Sequence, residues 1–234
     1  MIDLLSLGAS KEFHQQVDQI NAFINENSIY KVDAKFWANR GNPANYAADL
    51  IAHAKDPSNE PAHMECSTRS NLMARVLNVL GFKTRIVALF STDETYGSHS
   101  FLEVMNPETG RWETYDPTFN VYWRKEGGGD RISLAELAEV IDEIEPCGPT
   151  GCGWDYVNRE GARIIRLKNL LDIIAIEDKR GGVKFAVYTS RADLNRTYSK
   201  GGKQGKFCEV QAKRCEYGLF DIREYSTYAP GLHR

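Results

Sequence analysis

The apolar positions of the chain follow two different repeats. Phe13, Val17, Ile20 and Ile24 recur at spacings of four, three and four, which predicts a helix over 11–28. Leu50 and Ile51 mark the apolar side of a second helix over 42–56, with Asn42 as its cap and Pro43 in its first turn. Leu72, Met73, Val76, Leu77 and Leu80 form the clearest stripe. Gly81 follows at the usual place for a left-handed terminating residue, and Phe82 can fold back on the last turn. A third helix therefore runs from about Cys66 to Leu80, with Cys66, Ser67 and Thr68 in its first turn.

The repeat then shortens. TRIVALF (84–90) is β-branched and apolar and predicts a buried strand. HSFLEVM (99–105) and RWETYD (111–116) flank the turn NPETG (106–110), which predicts a β-hairpin. Residues 127–130 read as a loop. Ser133 and Glu136 have capping-box spacing, for a helix reaching about Ile144. Pro146–Gly153 is rich in Cys, Gly and Pro and marks a boundary. Residues 163–177 mix both repeats, and 183–189 and 217–225 read as strands. The domain reading is a core over 1–150 and an extension over 151–234, either separate or part of the same domain.

Composition narrows the class. Hydrophobic residues are 42% and charged residues 26%, ordinary globular values that argue against a disordered or fibrous chain. No apolar run approaches the ~18–20 residues a membrane span needs, so no membrane partner is expected. The first residues lack a basic stretch ahead of an apolar core, so no signal peptide is expected and the cytoplasm is the simplest location. The net charge of −3 hides an asymmetry: residues 1–154 hold 13 Lys/Arg against 22 Asp/Glu, and residues 155–234 hold 16 against 10. Arg196–Arg214 concentrates the basic excess, with Tyr198 and Phe207 interleaved. It reads either as a site for an anionic partner or, preferably, as a solvated Gly-rich loop.

The chemistry rests on the thiols and the hairpin. Five cysteines leave at least one thiol unpaired. Cys147-x4-Cys152 and Cys208-x6-Cys215 are spaced more widely than usual zinc-ligand pairs, so ordinary reduced thiols are expected. His63, Cys66 and His99 lack an evident fourth ligand. No metal and no cofactor is expected. Cys66 differs because a helix start carries unpaired N–H groups and a partial positive charge, which favour a thiolate. The indices of His99 and Asp116 centre on the NPETG turn, so the two should be direct cross-strand neighbours within about one residue. Alone, such a pair is an ordinary surface ion pair. With Cys66 it supplies nucleophile, base and orienting carboxylate.

These segments resemble the transglutaminase-like superfamily. The matching features lie in ECSTRSNLMARVLNVLGFKTRIVALF (65–90) and HSFLEVMNPETGRWETYDPT (99–118). They are a Cys opening a helix, a Leu-Gly-Phe helix end, an Arg-bearing start to the next strand, His-x-aromatic-x-Glu-Val, and Trp-x-x-x-Asp-Pro-Thr. The resemblance covers roughly residues 60–120. Phe101 stands where the family more often has Trp, and keeps the aromatic role. The resemblance implies a papain-like α+β core, with the Cys helix packed on an antiparallel sheet, and a Cys66/His99/Asp116 triad.

Such a triad performs acyl transfer through a thioester. Water as acceptor gives a hydrolase of peptides or other amides, the expected activity. An amine as acceptor gives a crosslinking acyltransferase. A silent binding module is the third reading, against which the intact triad argues. The oxyanion needs N–H donors. The Cys66 backbone is one candidate, and Trp37, Asn45 and Tyr46 are candidates upstream.

Overall fold

A computed structural model describes residues 12–90, 98–140 and 143–154, and the short strands 173–177, 184–188, 198–199, 203–204 and 219–221. The described chain is α+β. It begins with α1 (Phe13–Glu26), β1 (Ser28–Tyr30), α2 (Ala34–Asn39), α3 (Pro43–Lys55), β2 (Ala62–Met64) and α4 (Cys66–Val79). There follow β3 (Thr84–Phe90), β4 (Ser98–Met105), β5 (Trp112–Asp116), β6 (Val121–Lys125), α5 (Leu134–Glu139), β7 (Ile144–Gly148) and β8 (Gly151–Cys152). The last strands are β9 (Ile173–Glu177), β10 (Lys184–Tyr188), β11 (Tyr198–Ser199), β12 (Lys203–Gln204) and β13 (Leu219–Asp221).

Among the described residues, nine strands join in one sheet, in the order β13-β10-β9-β3-β4-β5-β6-β7-β8. All its pairs are antiparallel except β10 with β13. The sheet continues past residue 150, because β9 hydrogen-bonds to the free side of β3. α4 packs on β3 and β4, and α1 packs on α4. Val17, Ile20 and Ile24 of α1 meet Met73 and Leu77 of α4 and Leu102, Val104 and Tyr115 of the sheet in one core. Removing a side chain such as Leu77 from this core costs about 2–5 kcal/mol.

The helix ends follow the sequence closely. The Asn42 side chain accepts from the Ala44 N–H, with Pro43 at the first helical position. Gly81 has φ +93°, and the Phe82 N–H donates back to the Leu77 carbonyl at 3.0 Å, which closes α4. The capping box at Ser133 and Glu136 is present, but α5 stops at Glu139, short of the expected Ile144. Ile144 instead opens β7 opposite Lys125 and is buried. The open side of β6 takes this stretch into the sheet, a tertiary override of a local helix signal. The expected boundary at Pro146–Gly153 is likewise a hairpin on that edge.

Candidate functional site

Cys66 is the first residue of α4, as its surroundings require. Three-residue β2 delivers the chain to Glu65, which caps the helix. The Glu65 N–H donates to Thr68 Oγ1 at 2.9 Å, and the Ser67 hydroxyl donates to the Glu65 carboxylate at 2.6 Å. The Cys66 thiol is buried and is the unbridged cysteine among the described residues. One turn on, the Ser70 hydroxyl is shared between the carbonyls of Cys66 (2.8 Å) and Ser100 (3.0 Å). This bond ties the start of α4 to the residue after His99.

His99 Nε2 donates to Asp116 Oδ2 at 2.7 Å. The pair is joined as expected, but its register differs. β4 and β5 pair Leu102 with Tyr115 and Met105 with Trp112, which sets Asp116 opposite Phe101 rather than His99. The turn explains the shift. Asn106 Oδ1 accepts from the N–H groups of Glu108 and Thr109, and Asn106 closes the loop on Arg111 and Gly110. The loop proper is therefore 107–110, displaced from the centre of NPETG. An offset of two residues keeps both side chains on one face, so the pair meets diagonally.

Residues the sequence did not single out fix Asp116 in place. Asp116 is fully buried, and its Oδ1 accepts from the Thr118 N–H at 2.9 Å. Arg69, fully buried and three residues after Cys66, donates to the Thr118 carbonyl at 3.1 Å. Asn25 of α1 donates to the same carbonyl at 2.7 Å. Asn120 takes a left-handed φ of 55° and turns the chain into β6. The Phe119 and Phe101 rings lie 5.3 and 6.5 Å from the His99 ring, centroid to centroid, and help exclude water.

The electrostatics follow from this enclosure. Burial works against charging the His99 ring. The Asp116 charge and hydrogen bond, joined by the hydrogen bond and charge of Cys66, outweigh it and raise the His99 pKa to about 10. His99 is therefore an imidazolium at neutral pH. With Nε2 on Asp116, Nδ1 is the nitrogen left for the thiol.

The upstream oxyanion candidates lie on α2 and α3. Trp37 is 55% exposed, and its ring carries the Arg40 guanidinium at 4.7 Å. Asn45 bonds to Asn39 and Asn42. Tyr46 is buried and donates weakly to the Phe36 carbonyl at 3.4 Å. Tyr46 also lines a pocket with Ser67 and Thr68, the two residues after Cys66. Both nitrogens of His63 face carboxylates, Nδ1 at 2.9 Å from Asp33 and Nε2 at 2.7 Å from Glu60.

Cys147 and Cys152 correct the expectation of reduced thiols: they are joined in a disulfide. The β7–β8 hairpin sets them directly opposite, with Cα atoms 4.0 Å apart. The one cluster of metal-type side chains among the described residues is Glu145, Cys147 and Cys152, and two of its three ligand atoms are joined in that bridge. Cys208, Cys215 and most of Arg196–Arg214 lie outside the described residues.

No helix among the described residues is long and apolar enough to cross a membrane. Beside the first turn of α4 lies a pocket of about 290 Å³, walled by α4 and the start of α3. Compared with protein-family models, with curated proteins and with solved structures, the chain finds no match.

Proposed function

We propose that the protein is a cysteine-dependent acyl-transfer enzyme that hydrolyses a peptide or other amide through a thioester on Cys66. The observation that carries this reading is His99, held by a fully buried Asp116 on one nitrogen and coupled to Cys66 at a helix start. A helix-borne thiol beside a His–Asp pair on neighbouring antiparallel strands also suits the papain-like, transglutaminase-like core that the sequence resembles.

The steps follow from the positions. The Cys66 sulfur attacks the substrate carbonyl carbon, and the carbonyl π pair moves to oxygen. An unpaired N–H at the start of α4, that of Cys66 itself, is the donor the helix offers this oxyanion. His99 gives its proton to the leaving amine as the C–N bond breaks, and a thioester remains. His99, now neutral, takes a proton from water. The resulting hydroxide displaces the thiolate and releases the acid. Asp116 keeps the ring oriented throughout.

The test is selective alkylation. Iodoacetamide near neutral pH should modify Cys66 faster than Cys208 and Cys215, and His99→Ala should slow that reaction. Equal labelling of all three, unaffected by His99→Ala, overturns the proposal. Incorporation of a fluorescent amine into a glutamine-bearing protein would replace the hydrolase with the crosslinking acyltransferase.

A further inference from the structure

β4 and β5 stop pairing just short of His99 and Asp116. Their last paired residues are Leu102 and Tyr115, although β4 begins at Ser98 and β5 runs to Asp116. Proline explains the break. The Thr114 N–H turns away from β4 to the Ile132 carbonyl, and the Asn106 N–H donates across the hairpin to Arg111. Amides alternate in direction along a strand, so those of Glu113 and Tyr115, and next position 117, face β4. The continued register sets Pro117 opposite Ser100. Proline has no N–H to give, so the ladder ends there and the Ser100 carbonyl loses its ladder donor. Beyond this point β4 is paired with β3, through His99 and Leu89, and β5 with β6, through Asp116 and Val121. Backbone pairing between β4 and β5 therefore does not set the spacing of His99 and Asp116.

Two consecutive side chains of α4 reach into this opening. The Ser70 hydroxyl lies 3.0 Å from the Ser100 carbonyl, where the ladder donor is missing, and 2.8 Å from the Cys66 carbonyl. Arg69 donates to the Thr118 carbonyl at 3.1 Å. The Thr118 N–H holds Asp116 Oδ1, and Asp116 Oδ2 holds His99. Asn25 of α1 supports the same loop through the Pro117 and Thr118 carbonyls. Arg69 and Ser70 are both fully buried, where a polar group is costly unless its bonds are made. Both lie about one turn beyond Cys66, so one rigid helix carries the thiol and braces both strands. Resting on the acyl-transfer reading, we infer that α4 replaces the ladder that Pro117 breaks. Ser70 is then the positioning residue that sets His99 against Cys66, and Arg69 the one that sets Asp116 against His99.

The experiment alkylates the full chain with iodoacetamide at pH 7 and follows the His99 ring proton shifts with pH. Ser70→Ala should slow Cys66 about tenfold, the scale of one hydrogen bond. The ring, still held by Asp116, should keep its raised titration. Adding Pro117→Ala to Ser70→Ala returns an N–H opposite Ser100 and should recover most of the rate, which a merely structural Ser70 does not predict. Arg69→Met should lower the His99 titration from about 10, and Arg69→Lys, which keeps a donor, should lower it less. A wild-type rate in Ser70→Ala, or a lost rate that Pro117→Ala does not recover, overturns the role of Ser70. A His99 titration unmoved in Arg69→Met, or in Arg69→Lys where the Met variant does not fold, overturns that of Arg69. Failure of the acyl-transfer reading looks different. Wild-type Cys66 then labels no faster than Cys208 and Cys215, whatever stands at positions 69 and 70.

Discussion

Two buried histidines flank the start of α4, and both face carboxylates. His63 precedes Cys66 on β2, and His99 approaches it from β4. Their partners differ. Asp116 is fully buried, whereas the side chains of Asp33 and Glu60 are 31% and 56% exposed. Asp33 also caps α2 through the Phe36 N–H and meets Lys31, and Glu60 meets Lys35. His63 Nδ1 is therefore committed to a surface network that straps the β1–α2 connection onto β2, and the Glu60 carboxylate lies near its other nitrogen. His99 has one committed nitrogen, a water-poor setting and a sulfur for its other neighbour. Under the proposed function, the same pairing of residue types makes a strap in one place and a reactive centre in the other. What separates them is the depth of the carboxylate and what the second nitrogen meets.

The sharpest way to break this comparison is to remove each histidine. His99→Ala should lower kcat/KM by about 10²–10⁴-fold, the usual contribution of a general acid–base group. Because that change leaves Asp116 buried without its partner, His99→Gln, which keeps a donor, serves as the folded control. His63→Leu should lower the melting temperature but keep kcat/KM within roughly tenfold of wild type. Equal losses of activity from the two sites would erase the distinction.

Asp116→Asn sharpens it next. The amide preserves shape but not charge, so the His99 pKa should fall from about 10, read from its ring proton shifts. Activity should fall by about 10²-fold or more as the ring loses its charged support. An unchanged ring titration would mean that Asp116 does not govern His99.

Much of this centre is legible in the sequence because its signals are local. A capped start and a Gly81 stop define α4, and with it the place of Cys66. The hairpin is legible too, but its register depends on which residue closes the turn. Asn106 takes that role with its side chain, which shifts the pairing by two. Other features depend on distant partners. Arg69 and Asn25 meet the loop after Asp116 across 49 and 93 residues of chain. Ile144 joins a sheet edge that no local pattern reveals. The three-residue strands β1 and β2 and the short α2 are below the length at which periodicity speaks.

The smallest expected effect separates the two histidines by pH. The folded His99 pKa of about 10 lies above the unfolded value of about 6.5. Below pH ~6.5 the ring is protonated in both states, and its stabilising contribution is complete. Between ~6.5 and ~10 the unfolded chain loses the proton while the folded chain keeps it, so stability declines with rising pH. Asp33 runs the other way. Its hydrogen bond from His63, then that from the Phe36 N–H, hold its carboxyl well below the usual range. Its contribution is complete above the ordinary Asp value of about 3.9 and declines as pH falls below it, because the unfolded chain protonates first. Urea unfolding across pH 3–10 should therefore show an alkaline decline that His99→Gln flattens and an acid decline that His63→Leu flattens. If His99→Gln left the alkaline decline unchanged, His99 would not be its source, and the division between strap and proposed reactive centre would have to be redrawn.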